Sequence, residues 1–333
     1  MGIVIGIATI KSSLYIFDSL KRISKEALPC LEKFNVSFVV CINGGDVKHE
    51  TENEVRRFFS CHKNITGHVL IRKKAGKNNA MNDIISFARK MNDVNIVHFF
   101  DDDVSLKKGT LLVNIKTLMK HEKENSTPVL VGSAFVVKRN ILNFFLSRYS
   151  IFDAIVKWIF HVIITQPYLL KNERPKFCEG PSFCAYLKYL PKLPDDRLGV
   201  TDDAFLSNFF AVNGKNNFIK NGIPFIIKPK KSISYMKMPI CFGEWQKQQV
   251  RIHAGIERSF EYFAAEKYFL EEYFSWSYAF NVNSRTKNTA NSLMEKILYF
   301  IYMYLHERNR RNAQKFVGKK QIPAWSIAHS TKI

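Results

Sequence analysis

The sequence lacks the patterns that mark several common protein classes. Its six cysteines include no CxxC pair and no His-rich spacing, so no disulfide framework is predicted and a reducing compartment is expected. No GxGxxG follows the first predicted strand and no GxxxxGK(S/T) occurs, which argues against dinucleotide-binding and P-loop proteins. The longest charge-free apolar stretch, 158–170, is shorter than the roughly 20 residues that span a bilayer. Residues 1–6 carry no basic region, so no signal peptide is expected.

Acidic residues are scarce relative to basic ones. The 333 residues include 50 Lys and Arg against 29 Asp and Glu, which gives a formal net charge of +21. Such an excess favours a polyanionic partner, which could be nucleic acid, an anionic membrane surface or a phosphorylated ligand. With 46% hydrophobic residues the chain can form a sizeable core, and its length predicts one large or two smaller domains.

Apolar and amphipathic segments alternate along the first hundred residues. Strands are predicted at 3–8, 36–42, 69–72 and 95–100, and helices at 12–28, 51–61 and 78–91. Further helices are predicted at 109–119 and 201–211, strands at 129–137, 180–190 and 225–227, and mostly helix from 244 onwards. This order predicts an α/β fold with a mostly parallel central sheet, right-handed crossovers and a helical C-terminal region.

Three carboxylates end a predicted buried strand. The apolar run 95–100 is followed directly by Asp101, Asp102 and Asp103. Ligand sites of α/β proteins lie at the carboxyl ends of such strands, and three adjacent acids repel one another. Mn²⁺ or Mg²⁺, which takes oxygen ligands and is often shared with a substrate phosphate, is the predicted counter-charge. A solvated acidic turn is the alternative.

Charged residues also stand at two predicted helix starts. Lys77 precedes the helix at 78–91, where a point charge and free backbone N–H groups would suit a diphosphate. A basic loop that caps the helix is the alternative. Thr201, Asp202 and Asp203 open the helix at 201–211, where burial of two adjacent acids would raise the pKa of one and suit a general base. Capping of that helix is the alternative.

Four short sequence blocks, at 74–82, 101–103, 201–203 and 248–255, resemble in content and order those of family 2 glycosyltransferases of the GT-A fold, especially the branch of the hyaluronan, chitin and cellulose synthases. KAGKNNAMN is similar to the family's GKxxA(L/M)N, DDD matches its DxD, TDD is similar to its TED, and QQVRIHAG is similar to its QxxRWxxG. The resemblance covers roughly residues 1–255. Ile252 stands where the family has Trp and cannot stack on an acceptor sugar, which argues against long processive synthesis. An amphipathic helix with a solvated polar face is the alternative for this last block.

The resemblance implies an inverting, metal-dependent transfer of a sugar from a UDP-sugar donor to a glycan or lipid-linked acceptor. It implies Asp203 as the general base, beside Asp202, and Asp103 as a ligand of Mn²⁺ or Mg²⁺, assisted by Asp101. It also implies donor-binding residues drawn from the strand ends and the basic blocks: Ala8, Thr9, Asn43, Asp46, Lys77, Asp101, Asp102, Gln248 and Arg251.

Aromatic side chains alternate with Lys and Arg in two peripheral segments, 141–170 and the C-terminal stretch. Such segments suit helices that lie on an anionic membrane surface, although ordinary buried helices are the alternative. We therefore divide the chain into a catalytic domain, 1–255, with 141–170 as an insertion, and a basic helical extension, 256–333. The expected location is cytoplasmic and peripheral, on the inner face of the cell membrane.

Three rival functions use the same features differently. A basic protein that binds nucleic acid or membrane without catalysis is supported by charge alone. The basic residues form no nucleic-acid motif, and the acidic blocks would repel phosphate without a metal, so no nucleic-acid partner is predicted. A nucleotidyltransferase would be expected to carry a glycine-rich loop after the first strand, yet residues 8–13 contain no glycine. A retaining transferase on the same fold would not need Asp203 as a base.

Overall fold

The structure is a computed structural model that describes residues 1–45, 49–137, 177–178, 181–236, 242–278 and 293–317. The chain divides into two compact units. The first comprises Met1–Ala134, Cys178–Asp196 and Thr201–Tyr235. The second includes residues 197–200 and the helices of the C-terminal region.

Ten strands and eight α-helices occur in the described ranges. The strands are β1 (Gly2–Thr9), β2 (Asn35–Asn43), β3 (Thr66–Arg72), β4 (Val94–Asp101), β5 (Ser105–Leu106), β6 (Leu130–Gly132), β7 (Ala134–Val137), β8 (Ser182–Tyr186), β9 (Ile226–Ile227) and β10 (Ile233–Met236). The helices are α1 (Ile16–Leu31), α2 (Glu50–Cys61), α3 (Lys77–Lys90), α4 (Thr110–Asn125), α5 (Asp202–Asn221), α6 (Phe242–Tyr262), α7 (Lys267–Tyr278) and α8 (Leu293–Val317).

Seven strands form the central sheet of the first unit, in the order β3-β2-β1-β4-β8-β6-β9. Neighbouring strands are parallel except for β8, which is antiparallel to both β4 and β6. The predicted α/β fold with a mostly parallel sheet is confirmed. Because β1, β2 and β4 run in the same direction, their carboxyl ends meet at one edge of the sheet.

The central strands are mostly apolar, as is typical of strands in a parallel sheet whose two faces are both covered by helices. Val4, Ile5 and Ile7 of β1 are fully buried, and so are Cys41 of β2 and Cys30 of α1. All the cysteines in the described part of the chain are free thiols.

Several predicted elements have different bounds in the structure. Helix α1 continues through Pro29 to Leu31, and Ala27 and Cys30 on either side of the proline are buried in the core. The strand predicted at 129–137 is divided at Ser133 into β6 and β7. Helix α5 extends ten residues beyond the predicted end at 211, up to Gly222, whose left-handed backbone (φ +67°) ends the helix.

The second unit contains α6, α7 and α8, which confirms the predicted helical C-terminal region. Helices α6 and α8 pack against each other, and Trp245 of α6 is fully buried. None of the helices in the described ranges has the length and apolar character needed to cross a membrane. The aromatic segment 141–170 lies outside the described residues.

Candidate active site

A lysine and two carboxylates meet where three elements of the first unit begin or end. Lys77 is the first residue of α3, Asp101 is the last residue of β4, and Asp202 is the first residue of α5. The Nζ atom of Lys77 lies 2.6 Å from Oδ1 of Asp101 and 2.9 Å from Oδ2 of Asp202. One ammonium group therefore bridges the predicted metal block and the predicted base block.

The electrostatics of this cluster are dominated by burial and by an excess of negative charge. Burial opposes ionisation of Lys77, but the carboxylates of Asp101 and Asp202 outweigh it and raise the lysine pKa. Burial raises the pKa of Asp101 to about 6, with Asp103 and Asp202 adding to the rise and Lys77 opposing it. The charges of Asp101, Asp103, Asp202 and Asp203 are thus opposed by the single ammonium group of Lys77. The resulting net negative charge favours the binding of a further cation.

Asp203 has the same character as Asp101. Burial is the largest cause that raises its pKa to about 6, the charge of Asp202 adds to it, and Lys77 opposes it. The Oδ1 atom of Asp203 accepts a hydrogen bond from the backbone N–H of Ala204 at 2.8 Å. Thr201 stands at the N-cap position of α5 but makes no side-chain capping bond, whereas Asp203 does meet a first-turn N–H, so the capping and the base roles of this block both stay predictions.

Asp102 points away from this cluster. Its carboxylate is 5% exposed and accepts hydrogen bonds from Thr9 Oγ1 at 2.6 Å and from the Tyr15 hydroxyl at 3.1 Å. Asn43 donates from Nδ2 to the backbone oxygen of Thr9 at 2.8 Å and accepts from the Gly76 N–H at 3.0 Å. These side chains join the ends of β1, β2 and β4 to the loop that precedes α3.

The remaining predicted site residues fall into three groups. Ala8 is the partner of Asp101 in the register of β1 and β4, and Asp103 is half-buried just beyond β4. Gln248 and Arg251 lie on α6, in the second unit. Asp46 lies outside the described residues. The donor-binding roles of all of these residues stay predictions.

The amino-terminal end of α3 differs from the expectation that its N–H groups are free for a diphosphate. The carboxylate of Asp196 accepts hydrogen bonds from the backbone N–H groups of Asn78 and Asn79. The expectation that these N–H groups are free was therefore wrong. Asp196 lies 118 residues from Asn78, and no local pattern in the sequence connects the two. The one available signal was Gly76, which cannot supply a side-chain cap where the helix begins.

The carboxylates at this edge suit a hard divalent cation. Asp101 and Asp103 offer oxygen ligands, and the pKa of Asp101 is raised by burial first and then by the neighbouring charges of Asp103 and Asp202. Within the described ranges, no group of three or more His, Cys, Asp or Glu residues could hold a metal ion by itself. Mg²⁺-type ions are often bound by one or two carboxylates together with substrate phosphates, and the residues present fit that arrangement.

Comparisons with known proteins place the fold. No protein-family model matches the sequence, and a comparison with curated proteins finds no match. Mannosyltransferase PcManGT from Pyrobaculum calidifontis, solved in complex with GDP-Man and Mn²⁺, is similar over 96% of this chain and 88% of that chain, with a TM-score of 0.59 and 15% identity. This chain has the GT-A fold.

Two further solved structures are similar at lower scores. Mannosyl-3-phosphoglycerate synthase from Rubrobacter xylanophilus has a TM-score of 0.42 and 11% identity, over 78% of this chain and 73% of that chain. A fragment of S. aureus TarS has a TM-score of 0.45 and 13% identity, over 98% of this chain and 94% of that chain.

Proposed function

We propose that the protein is an inverting, metal-dependent glycosyltransferase of the family 2 type. The observation that supports the proposal is the cluster of Lys77, Asp101 and Asp202 at the carboxyl edge of a GT-A sheet, with Asp203 beside it. Sugar transfer needs an acidic site that binds a cation and a base for the acceptor hydroxyl, and candidates for both lie at this edge of the sheet.

In the proposed reaction, Asp203 is the general base. An acceptor hydroxyl oxygen attacks the anomeric carbon of the donor, the bond from that carbon to the diphosphate oxygen breaks, and the hydroxyl proton passes to Asp203. The nucleoside diphosphate leaves with the bonding electron pair. A base whose pKa is about 6 is largely ionised at neutral pH and still basic enough to accept the proton.

Asp103 and Asp101 would hold the cation. When bound, Mn²⁺ or Mg²⁺ would neutralise the charge that develops on the departing diphosphate. Lys77 adds a fixed positive charge next to the same site, and Arg251 is the second candidate for the diphosphate. Thr9, Asn43 and Asp102 would act by holding the strand ends in place, since their hydrogen bonds are to protein groups.

The donor and the metal can be tested together in a thermal-shift panel. We expect a UDP-sugar with Mn²⁺ to raise the melting temperature and each component alone to raise it less, because metal and diphosphate complete each other's ligand sets. A GDP-Man arm is included because PcManGT was solved with that donor. Asp103→Asn should abolish the joint shift, and Asp195→Asn is the matched control. Stabilisation that survives EDTA and Asp103→Asn would refute the metal assignment.

Helix α8 supports association with an anionic membrane. Its described residues contain five Lys or Arg and two Glu. One helical face presents Ile297 and Tyr304, which are 46% and 69% exposed, followed by the exposed Arg308, Arg311 and Lys315. An apolar patch beside a row of cations suits a helix at a membrane surface. We propose a peripheral position on the inner face of the cell membrane, where a glycan or lipid-linked acceptor would be reached.

A further inference from the structure

Helix α3 begins without a capping residue of its own. Gly76 stands at the N-cap position, so the helix has no local side-chain acceptor for its first N–H groups. Asp196 supplies that acceptor from a distant loop. Its Oδ1 accepts from the Asn78 N–H at 3.1 Å, and its Oδ2 accepts from the Asn79 N–H at 2.9 Å. These are the second and third helical positions, whose N–H groups a capping side chain normally satisfies.

Gly76 is matched to this contact. A Cβ atom at position 76 would collide with Oδ2 of Asp196, so only glycine leaves space for the carboxylate in this position. The φ angle of +150° at Gly76 is also one that other residues rarely adopt. The Gly76 N–H donates to Asn43 Oδ1, so the turn before α3 is held both by β2 and by Asp196.

The loop that carries Asp196 is fastened along α3. Asn82 accepts a hydrogen bond from the Leu193 N–H at 2.8 Å and donates one to the Leu193 carbonyl at 2.9 Å. Asn78 donates from Nδ2 to the Pro194 carbonyl at 3.2 Å, and Arg89 donates to the Leu190 carbonyl at 2.8 Å. Residues four and seven apart share one face of a helix, so the loop follows that face. The position of Asp196 is therefore built into the fold.

We propose that Asp196 is a positioning residue for Lys77. By capping α3 it fixes the first turn, and Lys77 is the first residue of that turn, so the ammonium is kept between Asp101 and Asp202. A carboxylate at a helix amino terminus is also stabilised by the helix dipole. The consequence for catalysis rests on the proposed function, whereas the capping contact and its effect on Lys77 do not.

A double-mutant cycle on stability tests the link without any substrate. Lys77→Met removes the counter-charge of two acids and should lower the equilibrium constant for folding. When Asp196→Ala is already present, Lys77 is no longer held between the two acids. The factor by which Lys77→Met lowers the folding equilibrium constant should then be at least threefold smaller. Asp18→Ala, which removes an exposed carboxylate on α1, combined with Lys77→Met is the control and should be additive. Additive effects of Asp196→Ala and Lys77→Met would overturn the proposal.

Hydrogen exchange tests the cap directly. Asp196→Ala should raise the exchange rate of a peptide that contains Asn78 and Asn79 by about tenfold. Asp196→Asn should have a smaller effect, since its amide oxygen still accepts one hydrogen bond. Unchanged exchange in both variants would contradict the cap. If the protein transfers sugar, Asp196→Ala should lower kcat, and an unchanged kcat with a lost cap would overturn the positioning role. If it transfers none, the cycle and the exchange data still decide the structural inference.

Discussion

Replacement of Asp203 by Asn tests the proposed chemistry most directly. The substitution keeps the shape and the oxygen that accepts the Ala204 N–H, so the start of α5 should be preserved. It removes the only group proposed to accept the acceptor proton, and loss of a general base lowers a rate by about 10²–10⁴-fold. Donor binding, measured by calorimetry with Mn²⁺ present, should stay within about threefold of wild type, because the base acts on the acceptor.

The pKa of Asp203 gives this prediction a second readout. With a pKa of about 6, the carboxylate is about 90% ionised at pH 7 and about 10% ionised at pH 5. With Mn²⁺ in excess, which would keep Asp101 ionised, we expect kcat/KM of the wild type to fall about tenfold per pH unit below pH 6 and this acid limb to be absent in Asp203→Asn.

Asp202→Asn is the informative comparison for this acid limb. The charge of Asp202 raises the pKa of Asp203, so its removal should move the limb to lower pH without abolishing it. Turnover of Asp203→Asn within threefold of wild type, or an acid limb that is unchanged in Asp203→Asn, would refute the base assignment and favour a retaining mechanism.

Two further predictions concern stability and membrane binding. Because burial raises the folded-state pKa of Asp203, the folded state holds its proton more tightly than the unfolded chain, and wild-type stability should fall as the pH rises from about 4 through 6. Asp203→Asn should therefore resist urea better than wild type at pH 7.5 and match it below pH 4. An unchanged difference across that range would contradict the shift. In liposome flotation, the protein should float with anionic vesicles and not with neutral ones, and replacing Arg308, Arg311 and Lys315 by Gln should abolish flotation. Equal recovery from both vesicle types would exclude electrostatic attachment.

Local patterns in the sequence carried most of the information about the sheet. The run 95–100 and its acidic end predicted β4 and placed Asp101 at the carboxyl edge, since a buried parallel strand reads as a continuous apolar segment. The preference of Thr for the N-cap and of Asp for the first turn placed Asp202 and Asp203 at the start of α5. Both predictions rest on neighbouring residues, and the structure confirms both placements.

Contacts between distant segments could not be predicted in this way. Nothing near Lys74–Asn82 indicates that Asp196 caps α3, because the loop at 190–196 has no periodicity of its own. Asp102, which the sequence places in the donor site, forms hydrogen bonds with Thr9 and Tyr15, and only the pairing of β1 with β4 brings these groups together. A side chain's partner across a fold depends on tertiary packing, which a single sequence does not display.

The bridging lysine has a consequence for how the protein folds. Lys77 and Asp101 belong to the consecutive elements α3 and β4, but Asp202 comes from α5, much further along the chain, and the hydrogen bond between Asn78 and Asp196 spans 118 residues. Contacts of such long range form slowly, since the loop between them must be closed before they add stability. We expect a refolding chain to regain helix and sheet signals before this edge of the sheet is complete. Recovery of ligand binding would then report the last stage of folding rather than the formation of secondary structure.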